Sequence, residues 1–142
     1  MSGAAPTRGL CVITCMDARI DPLAVLDLQI GEAHILRNAG GIVTTDVLRS
    51  LLISQRLLGT REVAVIQHSG CGMLTVRDDE LADAVERDTG ARPPTPLGGF
   101  DDLDESVRRS VAAIRACAYL PHRDLVTGHV YDLDTGALRV VR

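Results

Sequence analysis

At 142 residues the chain is long enough to bury one core, and it is 46% hydrophobic with one Phe, two Tyr and no Trp, so that core is aliphatic. A net charge of −4 without a long run of either sign excludes nucleic-acid and membrane-surface binding as the main activity, and no apolar stretch is long enough to span a bilayer. All 15 basic residues are Arg, and with no secretory leader the expected compartment is the cytoplasm, where the four cysteines stay reduced and free to bind metal.

Residues 1–9 read as a short tail. Residues 10–14 form a buried strand, and Asp21-Pro22 opens a short helix through Leu28, with Pro at a first-turn position. Residues 33–37 are a second strand, followed by the loop Asn38-Ala39-Gly40-Gly41. Thr44, Thr45 or Asp46 caps a longer helix to about Leu58, ended by Gly59; Val47, Leu48, Leu51, Leu52 and Leu58 have helical spacing, and Val43, Ile53 and Leu57 make a second face apolar. Residues 63–67 are the third and most apolar strand. Residues 73–88 are helical in composition, with a break near Arg77-Asp78. From Thr89 to Gly99, three Pro and three Gly mark a surface loop. A helix over 101–118 takes Asp101 or Asp102 as its cap and turns Val107, Val111, Ile114 and Ala118 inward. Strands 125–131 and 137–141 follow, joined by a hairpin.

This order predicts a single α/β domain over 1–142. Its mainly parallel sheet has the strand order 2-1-3-4, helices on both faces and an antiparallel C-terminal strand. Ligands of such sheets bind beyond the carboxyl ends of the strands, at the switch between strands 1 and 3. Cys15 and His68 lie at those two ends.

The two segments that meet there are CVITCMDAR (11–19) and VAVIQHSGCGM (63–73), each an apolar run ending in metal-binding side chains. Gly70 and Gly72 allow a tight turn that brings the Cys71 thiol back beside the His68 imidazole. Two thiolates (Cys15, Cys71), one imidazole (His68) and a carboxylate (Asp17) make a tetrahedral set suited to Zn²⁺. Arg19 offers the carboxylate a competing partner, so Asp17 either ligates zinc and closes the site or pairs with Arg19 and leaves room for water. Cys11 and Cys117 read as small buried hydrophobes.

The segments CMDARIDP, GEAHILRNAGG and HSGCGM resemble the β-class carbonic anhydrases, and the likeness runs from about residue 10 to the C-terminus. It is closest to the short bacterial members, which share the RSLxISQRLLGTRE pattern seen at 49–62. All five positions of the family pattern, Cys-x-Asp-x-Arg then His-x2-Cys, are present as Cys15, Asp17, Arg19, His68 and Cys71. The resemblance implies hydration of CO2 to bicarbonate on Zn²⁺ by a homodimer or larger homo-oligomer. Family members usually carry one or two helices before the first strand, where this chain has about nine residues, and often a larger or acidic residue at Gly70.

The mechanism so implied has zinc-activated water attack CO2 while Asp17, held by Arg19, aims it. Backbone N–H groups near Gly40 and Gly41 are candidates to hold the bicarbonate oxygens, the alternative being a plain strand-to-helix turn. His34, His122 and His129 read as packed or exposed residues before proton shuttles. Two other functions fit the same residues: a related zinc hydrolase acting on CS2 or COS, and a non-catalytic zinc module, against which the Asp17–Arg19 pair argues.

Overall fold

β-branched runs set the centre of the sheet. In the computed structural model, which describes residues 3–142, β1 (Leu10–Cys15) and β3 (Glu62–His68) are neighbouring parallel strands. Their residues from Cys11 to Cys15 and from Val63 to His68 are all buried, as a strand covered on both faces requires. The sheet order is β2-β1-β3-β4-β5, with β2 (Ala33–Asn38) on the outer side of β1 and β4 (Leu125–Tyr131) beyond β3. These four strands are parallel, and β5 (Leu138–Val141) returns antiparallel to β4.

Alternation divides the core. Cys11, Ile13, Val63 and Val65 face α2 (Thr45–Arg56) and α4 (Leu103–Arg115), where they meet Val47, Leu51 and Ile114. Val12, Ala64 and Ile66 face the other way, toward Leu26, Ile35 and Leu138. Each fully buried side chain such as Ile13, Leu51 or Ile114 stabilises the fold by about 1.5–3 kcal/mol. Cys11 and Cys117 lie in the first of these clusters, where burial pushes the Cys11 thiol up to about 11.

Helix ends follow local chemistry. Asp21 accepts hydrogen bonds from Leu23 N and Ala24 N at 3.1 and 3.3 Å, starting α1 (Pro22–Val25). That helix is shorter than the predicted run to Leu28, because Asp27 adopts φ +52 and Leu28 N turns back to Leu23 O. Thr44 caps α2, whose last residue is Arg56 rather than Leu58. The break near Arg77-Asp78 separates a 3₁₀ turn (Gly72–Thr75) from α3 (Asp78–Thr89). Asp102 caps α4, which stops at Arg115. Ala118 is therefore beyond the helix and exposed, and Cys117 and Leu120 supply the buried contacts there. Residues 1 and 2 of the predicted tail lie outside the described residues. No helix among the described residues is long and apolar enough to cross a membrane.

Candidate metal centre

The carboxyl ends of β1 and β3 carry the site. Cys15 is the last residue of β1 and His68 the last of β3; Cys71 follows after Ser69 and Gly70. Strict alternation would send Cys15 and His68 to opposite faces, but both stand where pleat gives way to loop. Their ligand atoms and the Cys71 sulfur all lie within 4.8 Å of one another, and all three residues are buried. The two sulfurs are 4.0 Å apart. Tetrahedral zinc with Zn–S bonds of ~2.3 Å would separate them by ~3.8 Å.

The imidazole supplies the decisive test of fit. His68 Nδ1 donates to Ser69 O at 2.8 Å, a tautomer that leaves the lone pair on Nε2. Nε2 is buried with no hydrogen-bond partner. Its charged neighbour is another acceptor, Asp17 Oδ2, at 3.7 Å. A buried lone pair facing a carboxylate and two sulfurs is stranded without a cation and satisfied with one. Cys15, His68 and Cys71 therefore fit Zn²⁺. Burial pushes the Cys71 thiol up to about 11, so metal must displace its proton.

Asp17 stands beside this trio, turned toward Arg19. Arg19 N and Nε donate to Oδ1, each at 2.9 Å, and Nη2 donates to Oδ2 at 2.7 Å. These bonds from Arg19 hold the Asp17 carboxyl well below the usual carboxylate range. Arg19 Nη2 also donates to Gly70 O at 3.0 Å, which ties the loop after β1 to the loop after β3. Around the ligands pack Ile20 and Phe100, buried, with Ile42, Met73 and Leu74 half-buried.

Gly40 and Gly41 have a packing role here. A Cβ on Gly41, whose φ is +64, would stand 2.8 Å from Cys15 N and from Thr14 C, and one on Gly40 would press on Met73 and Phe100. Gly41 N–H points back to Asn38 O at 3.4 Å, the geometry of a strand-to-helix turn. Two of the three other histidines make side-chain hydrogen bonds away from the site. His34 Nδ1 pairs with Ser54 Oγ beside Cys11, at the far end of β1, and His129 bonds Thr127. The His122 backbone is held by Gln55 ahead of β4.

Two residues near the site were not singled out from the sequence. Arg37, on β2, donates to Cys15 O, Asp17 O and Ile20 O at 2.9, 2.8 and 3.2 Å. Gln67, fully buried beside His68, reaches Gly41 O at 3.4 Å while its Oε1 has no partner. Only the RNAGG run around Arg37 pointed toward either.

The carbonic anhydrase family model matches residues 10–91. Beta-carbonic anhydrase 1 of Mycobacterium tuberculosis is 43% identical over 136 residues, spanning 96% of this chain and 83% of that protein. The chain belongs to the β-carbonic anhydrases. Carbonic anhydrase from Streptococcus mutans has the same fold, with a TM-score of 0.94 at 38% identity over 100% of this chain and 86% of that one. A carbon disulfide hydrolase of an Acidianus species is 33% identical over 164 residues, covering 98% of this β-carbonic anhydrase and 80% of the hydrolase.

Proposed function

We propose that this β-carbonic anhydrase catalyses the reversible hydration of CO2 to bicarbonate and a proton, with Zn²⁺ held by Cys15, His68 and Cys71. The observation that carries this is the buried, unpartnered Nε2 of His68 facing two sulfurs and a carboxylate already occupied by Arg19. Bound there, zinc would supply the Lewis acidity that lowers the pKa of water towards neutrality.

The chain's own groups do the rest. Ser69 O takes the Nδ1 proton of His68, which in the neutral ring leaves Nε2 to accept or ligate. Arg19 keeps Asp17 ionised, so its Oδ2 accepts a hydrogen bond from the attacking water and turns the oxygen lone pair outward. Ile20, Ile42 and Met73 give the neighbourhood the low polarity that uncharged CO2 needs.

A homodimer is the smallest assembly expected. Ile53 and Leu57 leave 40% and 70% of their surface exposed on one side of the α2 end, apolar area that a second copy would cover. Four free thiols suit a reducing cytoplasm.

Stopped-flow CO2 hydration by the zinc-loaded protein tests the reading, beside an assay of sulfide release from CS2. Catalysis of hydration that disappears together with zinc in Cys15→Ser is expected. Sulfide release without hydration would move the assignment to the carbon disulfide hydrolases, and full zinc occupancy in Cys15→Ser would overturn the ligand set.

A further inference from the structure

Residues 16–21 carry the chemistry yet belong to neither β1 nor α1. Three backbone bonds secure them: Met16 N donates to Asn38 O at 2.8 Å, Ile20 N donates to Asp17 O at 3.1 Å, and Asp21 O accepts from Val25 N at 3.0 Å. Two side chains add to these: Arg19, from within the loop, reaches Gly70 O after β3, and Arg37 binds the loop from the edge strand. Arg37 Nε takes Cys15 O, and Nη2 takes both Asp17 O and Ile20 O. One guanidinium thus gathers the carbonyls of a metal ligand, of the carboxylate residue and of the buried Ile20 that anchors the far end of the loop.

We propose that Arg37 is a positioning residue for the hydration reaction, holding loop 16–21 in the form in which Asp17 pairs with Arg19 beside the ligand trio. It touches backbone only, so it acts through Asp17 and not on substrate; its catalytic consequence rests on the role given to Asp17 above. A planar fork is required. Donors on two nitrogens must diverge to three oxygens, which a flexible point-charge ammonium does not reproduce. Arg37 is also exposed, on a strand paired on one side only, and its side-chain bonds all go to this loop. Its loss should therefore be felt in the loop far more than in global stability.

The test uses Arg37→Ala and Arg37→Lys in the zinc-loaded and metal-free proteins. Arg37→Ala is expected to keep one zinc per chain and a near-normal unfolding midpoint. Its kcat should fall by about 10-fold or more with little change in KM, the pattern of a group that serves the chemical step. In the metal-free protein the protected Arg19 Nε–H resonance should vanish and the amides of 18–20 should exchange faster. Millimolar guanidinium, far below denaturing concentrations, should restore activity to Arg37→Ala. Arg37→Lys, the milder variant should Arg37→Ala not fold, should stay impaired because it keeps the charge and loses the fork. Wild-type Arg19 Nε–H and amide protection in Arg37→Ala would overturn the proposal, as would a loosened loop with unchanged kcat. If the wild-type protein proved inactive toward CO2, the functional assignment would fail, while the resonance and exchange data would still decide what Arg37 holds.

Discussion

Arg19 and Asp17 grip each other through three hydrogen bonds across a single intervening residue, and the same guanidinium reaches Gly70 O on the other ligand-bearing loop. The pair is thus both a local lock on the carboxylate and a strap between the Cys15 and Cys71 segments. Arg19→Ala frees Asp17 to turn to the metal, where it would occupy the position that water needs. Activity should fall roughly 10²-fold or more while zinc stays bound. Metal analysis alongside the hydration rate checks this, and an active, zinc-replete Arg19→Ala enzyme would show that the pair is dispensable.

Gly41→Ala tests the packing beneath Cys15. The added Cβ would meet the Thr14–Cys15 backbone at 2.8 Å, on a residue that already needs φ +64. The expected cost is about 1–3 kcal/mol from the left-handed conformation alone. Because the strain falls on Cys15 N, zinc affinity should drop as well. Chemical denaturation and chelator competition read the two effects separately; a loss of stability with unchanged affinity would place the strain away from the ligand.

Zinc loading should release protons. The buried Cys71 thiol, pushed up to about 11, is protonated at neutral pH in the metal-free protein and must ionise to ligate. The sign follows directly: affinity rises with pH until the thiol ionises by itself. It should climb by ~10-fold per pH unit for each proton displaced. Calorimetry in buffers of different ionisation enthalpy counts the protons, and a pH-independent affinity between pH 7 and 9 would contradict the burial-raised thiol.

Asp78 links acid stability to the long loop. Its Oδ2 accepts from Leu97 N and Gly98 N, and its Oδ1 from Gly99 N, at 2.8, 3.2 and 2.9 Å. These bonds, that from Gly99 foremost, hold its carboxyl below the usual range. A depressed carboxyl stabilises the fold above its unfolded value, ~3.9, and that contribution fades as pH falls through the lower folded value. Asp78→Asn should therefore unfold more readily than the native protein at pH 7. The gap between the two should close below about pH 4, in urea titrations at each pH. A gap that held constant into acid would assign the effect to packing.

The sheet order and the ligand trio were legible because both are written as short-range pattern. Apolar runs that stop at Cys15 and His68 identify buried strands and their ends, and the glycines flanking Cys71 give away its turn. Helix ends were less legible. A positive φ at Asp27 stops α1 early, and Ala118 fits the spacing of α4 yet lies beyond its last turn, since apolar spacing does not register where backbone bonds cease. Arg37 was invisible as a functional residue for a different reason. Its partners are carbonyls 17 to 22 positions away, and every residue has a carbonyl, so no side-chain pattern records the contact. Gly40 and Gly41 illustrate the same limit: a glycine-rich turn reads alike whether its amides face a ligand or its missing Cβ admits a neighbouring strand.

The direct pairing of β1 with β3, from Leu10 opposite Glu62 to Thr14 opposite Ile66, brings the ends of the two strands, and with them Cys15 and His68, side by side. Because the main buried cluster of Ile13, Leu51, Val63, Val65 and Ile114 includes no ligand residue, the chain is expected to fold before it takes up metal. Zinc-starved cells would accumulate a folded, dormant apoprotein and not a degraded polypeptide, and returning zinc would revive it without new synthesis. Native-like circular dichroism and cooperative unfolding after chelation are the signature of that reserve.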